Sequence, residues 1–376
     1  MARWQPKFLI PPGSKNPHVC PPVGLFLIVC APLVSEMAQA PRAGAALWEG
    51  VQQEMGRSLR IGLLIVLGVC LAGWIPVGAA GASAPEGPAE EQLVRGEKAS
   101  VTTGPIITST TIPQAPGTWG IQGTGFLAVT AGRFSPSWRR VGAGGDFLSL
   151  ATPLQITYGL APRTEIYTII QSVHNWAAQV DHPGPGGERS ANFSGLGDIS
   201  LAYKHLLLEE KPSLPAVSGI FTVNFPAGHH GHLNPRFRGT DQLGRGAYTF
   251  TPGINVYKYL APVLLYGNLW YSMSTDATVA GQRRHYRDQV ILNLAAEYPL
   301  SQRLVFLLEY VSFYDGGRLL GPRANQPPGA LMSLLPALEF IVSDDLSFAG
   351  GVVLDLWGKN ARYNYTPVLA VFVNLR

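Results

Sequence analysis

The sequence predicts an all-β fold, a transmembrane antiparallel up-and-down β-barrel of about twelve strands. Three observations predict it. Apolar and polar residues alternate with period two from Thr118 onward, connections alternate between short and long, and an export-type segment precedes the body.

The bulk numbers narrow the class before any element is placed. In 376 residues only 14% are charged, and 43 glycines with 31 prolines favour strands and turns over a helical bundle. No part of the second half carries the roughly 18 apolar residues in a row that a membrane helix needs. The net charge of +4 is small for the length, and no basic run with interleaved aromatics appears, so nucleic acid is not an expected partner. Cys20, Cys30 and Cys70 all lie early, leaving the body free of cysteine. That suits a chain that crosses an oxidising compartment unfolded, where stray disulfides would trap it.

Met55-Gly-Arg-Ser-Leu-Arg60 is a short basic stretch, and Ile61 to Ala72 is apolar. Ala80-Gly-Ala82 and Ala82-Ser-Ala84 each offer small residues at cleavage spacing, so 55–84 reads as a secretory signal. Val69 before Cys70 does not fit a lipoprotein site. A signal belongs at the start of a chain, so Met55 is the expected initiator and 1–54 an upstream extension that is not translated; the alternative is a genuine extension with its own apolar segment at 23–34. Residues 85–116 are rich in Pro, Glu, Thr and Ala without lasting periodicity and read as an extended periplasmic lead-in. The barrel is then 117–376.

Within the body, segments start near 118, 147, 163, 197, 214, 247, 262, 288, 302, 330, 345 and 364. Leu304, Phe306, Leu308 and Tyr310 share one face, opposite Arg303 and Glu309. Ile199, Leu201, Tyr203 and Leu207 oppose Asp198, Ser200 and Lys204. Successive side chains of a strand point to opposite faces, so each segment has a greasy wall and a polar one. A soluble sandwich would also alternate, and the connections separate the two architectures. Short ones fall at 159–162, 210–213, 260–262, 299–302 and 343–345. Long ones fall at 134–146, 176–196, 227–246, 275–287 and 315–329, with a modest 358–364 last. Six long loops and five short turns match a twelve-stranded barrel with both ends in the periplasm.

The same parity assigns the facing. A cation on the lipid face at mid-depth costs about 2–4 kcal/mol, so charged residues belong on the inner wall. The expected lumen lining is Gln122, Gln155, Glu165, Asp198, Lys204, Asn224, Thr251, Asn255, Asn268, Asn293, Glu297, Arg303, Glu309, Glu339 and Asp355. Lys258 falls on the apolar face at a strand end, where its stem can snorkel. Trp119, Tyr158, Tyr203, Tyr248, Tyr298 and Tyr310 fall near strand ends on the outer face, as an aromatic girdle requires.

Ser194-Gly-Leu-Gly-Asp-Ile-Ser-Leu-Ala-Tyr-Lys204, Leu154-Gln-Ile-Thr-Tyr-Gly-Leu-Ala-Pro-Arg163 and the lead-in Gly104-Pro-Ile-Ile with Gly-Thr-Trp119 resemble the phenol-degradation MetA-pathway family. The resemblance spans about residues 104–376. It implies an exported, transporter-like outer-membrane barrel, and by its label aromatic or otherwise apolar solutes. Such barrels commonly end in an aromatic residue that the assembly machinery reads. Here Leu369, Val371, Val373 and Leu375 keep the outward phase and Arg376 follows, so either Leu375 serves instead or recognition of this strand is weaker than usual.

Three further groups have the residue types of a site. His229, His230 and His232 are close-set, as metal ligands can be, but no cysteine or clearly placed carboxylate accompanies them, so no metal is expected. Ser172 and His174 share an outward phase with His205, yet side chains at i and i+2 lie about 7 Å apart, too far for a nucleophile and its base. No Gly-rich phosphate loop or catalytic carboxylate pair appears, so neither an enzyme nor a cofactor is expected. The outer loops carry Arg139, Arg140, Arg283, Arg284, Arg318, Arg323 and Arg362, which suit lipopolysaccharide phosphates or anionic solutes alike. Two functions therefore stand: passage of small solutes through a polar lumen, or a structural or surface-interaction barrel with an occluded one. A membrane lipid hydrolase is a third, weaker reading.

Overall fold

A computed structural model describes residues 102–182, 187–316 and 327–375. The expected extension 1–54, the signal 55–84 and the first part of the lead-in, 85–101, lie outside the described residues. So do Arg318 and Arg323. Among the described residues, 102–211 and those from Pro215 onward form one compact unit, to which all the strands below belong. Among the described residues no helix is long and apolar enough to cross a membrane.

Twelve antiparallel strands form the wall. They are β1 (Trp119–Phe134), β2 (Asp146–Ala161), β3 (Thr164–Ala178) and β4, which is broken into Ala191–Leu196 and Ile199–Leu208. Then come β5 (Ala216–Phe225), β6 (Thr249–Leu260), β7 (Val263–Ser274) and β8 (Gln289–Pro299). Last are β9 (Leu304–Asp315), β10 (Gly329–Ser343), β11 (Leu346–Lys359) and β12 (Arg362–Leu375). Each pairs with its neighbour in chain order, and β12 returns to β1 from Trp119↔Leu375 to Arg133↔Arg362, which closes the barrel. Closure pairs the strands all round the wall, the condition for strands in lipid, and Ala191–Leu196 projects beyond it, paired only to β3 among the described residues.

The observed starts fall close to the expected ones because parity and turn residues act locally. The last long-side connection is the exception, shrinking from 358–364 to the two residues 360–361. Asn360 takes a left-handed φ of 51°, which lets a two-residue hairpin close and frees the flanking residues for the strands.

Outward side chains are apolar and exposed: Leu201, Tyr203, Leu338 and Phe340 show it, and Leu369 is 73% exposed. Trp119 lies against Tyr158 with ring centroids 4.6 Å apart at the short-turn end of the β1–β2 pair. Lys258 turns to that same end, where its Nζ is 3.2 Å from Glu210 and donates to the Lys211 carbonyl.

The inner wall departs from the expected alternation. Leu307, Leu335, Ala337, Ala349, Val368, Ala370 and Phe372 face inward from β9 to β12 and form one apolar cluster with Ile106. On these strands both walls are largely apolar, because the inner one packs against the chain itself. Residues 102–114, which fall within the expected lead-in 85–116, bond to the inner wall.

At the long-loop end, two loops fold onto each other. In 275–288 a small hairpin pairs Ala277–Val279 with Gln282–Arg284, and Ala280 and Gly281 both take positive φ as a tight hairpin turn requires. Val279, Ala277 and Tyr286 of this loop are buried with Ala247, and Leu233 packs against them from the loop 226–248.

Candidate functional site

Four strands place a polar row at one level of the wall. Ser218 pairs with Asn255, Asn255 with Asn268 and Asn268 with Asn293, and all four side chains are buried on the inner face. Asn268 donates to the Asn255 Oδ1 at 3.0 Å, and Trp270 Nε1 donates to the same oxygen at 2.8 Å. Ser218 Oγ, Asn255 Nδ2 and Asn293 Oδ1 meet no protein partner among the described residues.

The chain's own segment crosses this wall, held by one acceptor after another. Glu339 accepts from Thr102 Oγ1 at 2.8 Å, from Thr103 N at 3.1 Å and from Thr103 Oγ1 at 2.5 Å. Glu309 accepts from the backbone N–H groups of Ile106, Ile107 and Thr108, at 2.6 Å from Ile106 and 2.7 Å from Thr108. Asn268 then binds Ser109 both ways, accepting from its N–H at 2.8 Å and donating to its carbonyl at 2.9 Å. Lys204 donates to the Thr110 carbonyl at 2.8 Å and pairs with Glu165 at 2.7 Å, while Glu165 accepts from Gln114 N at 2.7 Å. Gln122 donates to the Ile106 carbonyl at 3.0 Å.

A carboxylate that accepts several N–H groups makes charge-assisted bonds, about twice as strong as neutral ones. Three N–H groups in sequence have no secondary-structure partner in this segment, and Glu309 supplies one. The ion pair of Lys204 and Glu165 is almost wholly removed from water, and removing one member of such a pair typically costs about 3–5 kcal/mol.

The other expected lining residues divide by place. Glu297 is fully buried and accepts from Tyr266 Oη at 3.1 Å. Thr251 donates to Ser272, Asn224 accepts from Ser200, and Gln155 donates to Thr157. Asp355 accepts from Ser333 and from Asn364 N, tying β10, β11 and β12 together near the long-loop end. Asp198 sits at the break in β4 and accepts from Gly228 N at 3.0 Å and Arg245 N at 2.9 Å, so it fastens both ends of a long loop. Arg303 is exposed in the turn before β9, where its carbonyl accepts from Ile341 N.

Sequence parity missed Tyr266, Trp270 and Ser218 as inner-wall partners; an apolar or aromatic residue on the inward phase beside asparagines was the available signal. It also missed the mouth. There a cavity of about 410 Å³ is lined by Arg245, Tyr286, Phe313, Asp315 and Arg362 among others. The Arg245 guanidinium lies 4.3 Å from the Tyr286 ring centre, and Tyr286 Oη donates to the Arg245 carbonyl at 2.6 Å. Burial holds that guanidinium below its usual pKa, offset in part by Tyr286, Asp315 and Asp198.

Two of the three histidines of 226–248, His229 and His230, are structural in their contacts. His229 Nδ1 is 2.8 Å from the Asp241 carbonyl and His230 Nδ1 is 2.7 Å from that of Gly228. Ser172 and His205 are not brought together: His205 pairs with Thr164, eight residues along β3 from Ser172, roughly 26 Å at strand spacing.

A closed twelve-strand wall, apolar outside and polar in part within, defines an outer-membrane β-barrel. Residues 116–361 match the model described as "Putative MetA-pathway of phenol degradation", and the chain belongs to that family. The fold is similar to that of the COG4313 outer membrane channel from Pseudomonas putida F1, with a TM-score of 0.58 and 11% identity over 73% of this chain and 100% of that one. More distant is the toluene transporter TbuX of Ralstonia pickettii, at a TM-score of 0.36 and 9% identity over 70% and 90% of the two chains. No curated protein matches.

Proposed function

We propose that this protein is an outer-membrane conduit for small solutes, narrowed at its short-turn half by its own residues 102–118. One observation carries the reading. In the row Ser218, Asn255, Asn268 and Asn293 the inner wall is polar, and Ser218 Oγ, Asn255 Nδ2 and Asn293 Oδ1 meet no protein partner among the described residues. Buried polar atoms are almost always satisfied, so these three call for a bridging water or a bound polar group, and a polar inner wall suits a solute path better than an apolar core does. The named channel of similar fold supports the same reading, and the family label points to aromatic or otherwise apolar solutes. Export by the 55–84 signal, insertion by the barrel-assembly machinery and contact of Arg139, Arg140, Arg283 and Arg284 with lipopolysaccharide complete it.

The test is conductance of the purified full chain in planar bilayers, with solute flux in proteoliposomes. Discrete channel events are expected. Complete absence of conductance and of flux, both in this protein and in a variant with its segment loosened, would overturn the reading. It would favour the second one, an occluded structural barrel, for which the many bonds to 102–114 speak.

A further inference from the structure

The mouth cavity lies near the long loops, none of its lining residues comes from the segment 102–118, and its chemistry is specific. Two guanidiniums, Arg245 and Arg362, face one carboxylate, Asp315, among its lining groups. Neither arginine has a salt-bridge partner among the described residues. Arg245 stacks on Tyr286, and Arg362 lies 4.6 Å from the Phe147 ring centre. Asp315 is occupied from another side, accepting from Gly329 N at 2.5 Å, with Arg245 and Arg287 near enough to offset its charge. Among the lining side chains two cations meet one anion, and beyond them Arg287 near Asp315 and Asp198 near Arg245 offset one another, so the cavity keeps a net positive charge. Phe313 and Leu331, paired across β9 and β10, face inward and supply an apolar wall. A volume of about 410 Å³ lies in the range of about 300–1,000 Å³ of small-molecule sites.

We propose that this cavity is a capture site for an aromatic monoanion, a ring bearing one carboxylate. Arg362 and Arg245 take the carboxylate, for which the planar guanidinium is the matching donor, and Phe313 takes the ring. The site lies at the mouth, so it would load solute into the lumen beneath; in that role it rests on the reading of the barrel as a conduit, whereas binding itself does not.

Calorimetry on the detergent-purified full chain tests it with four probes: benzoate, cyclohexanecarboxylate, benzylamine and inorganic phosphate. Benzoate is expected to bind at least tenfold more tightly than each of the others. Arg362→Gln is expected to lose at least tenfold, with Arg362→Lys keeping part of the affinity, and Phe313→Leu to bring benzoate down towards cyclohexanecarboxylate. The probe series on the unaltered protein decides the matter even where a variant fails to fold. No benzoate binding overturns the proposal. Equal binding of benzylamine removes the role of charge, equal binding of cyclohexanecarboxylate removes that of the ring, and equal or tighter phosphate marks a lipopolysaccharide contact instead; each overturns it. Benzoate binding without any flux would sink the conduit and leave the site standing.

Discussion

Lys204 and Arg245 are both cations withdrawn from bulk water inside one barrel, and their surroundings differ. Lys204, in the short-turn half, sits 2.7 Å from Glu165 and donates twice more to Thr110. Arg245, at the long-loop end, has an aromatic face and more distant carboxylates, but no ion pair among the described residues. The short-turn half uses its charges to fasten the chain to itself, and little capacity is left over. The long-loop end keeps a cation underused beside a cavity. Internal pairing is what stability requires, and an unbalanced charge next to open space is what recognition requires.

The largest expected effect tests the first half of that contrast. Lys204→Met leaves Glu165 buried beside the Gln114 N–H alone, and the barrel is expected to lose about 3–5 kcal/mol. Thermal unfolding followed by heat-modifiable mobility reads this directly. A change below about 1 kcal/mol would mean that Lys204 is wetter than its 2% side-chain exposure indicates.

Glu309→Ala comes next. It removes the acceptor of three consecutive N–H groups, at about 1–3 kcal/mol for each that stays buried without a partner. The segment is expected to loosen from the wall rather than the barrel to unfold. Amide exchange at Ile106, Ile107 and Thr108 should accelerate at least tenfold, and channel conductance should rise. Unchanged exchange would show that Ile106, packed against Leu307 and Leu335, is held by apolar contact instead.

These two residues also show what was legible in the sequence. Parity alone assigns Glu165, Lys204, Glu309 and Glu339 to the inner wall, because a charge on the lipid face is too costly and period two leaves only one other face. Their partners were not legible. Glu309 binds backbone N–H groups, which every residue carries, so 106–108 bear no signature of the contact. The apolar inner wall of β9 to β12 was hidden for a related reason: Leu304-Val-Phe-Leu-Leu308 is apolar on both phases, and parity cannot say which face meets lipid and which meets the chain. Arg245, Tyr286 and Arg362 lie on separate loops and strands, and only closure of the barrel brings them to one cavity.

Asp198→Ala probes the long-loop end. It removes the acceptor for Gly228 N and Arg245 N, and the half-exposed site lets water replace part of the loss, so about 1–2 kcal/mol is expected. The barrel's thermal stability should hardly change. Proteolysis within 226–248 should quicken, and benzoate affinity should fall with the displaced Arg245. A global loss of stability equal to that of Lys204→Met would remove the distinction between the two halves.

The smallest effect lies in the outermost hairpin. Asp276 is held below the usual carboxylate range, first by its hydrogen bond with His285 and next by Arg283, whose Nη2 donates at 2.9 Å. A depressed folded-state pKa contributes stability that is present above the unfolded value, about 3.9, and is lost as pH falls through the folded one. Order of the 275–288 loop should therefore be constant down to about pH 4 and decline below it, while β8 and β9 stay paired. Asp276→Asn should abolish that decline and little else, since the side chain is open to solvent and salt screens such contacts. Amide exchange at Thr278 and Arg283 between pH 3 and 5, corrected for intrinsic rates, checks it. An acid loss that persists in Asp276→Asn would assign the effect to another carboxylate and place the weak point of the long-loop end outside this hairpin.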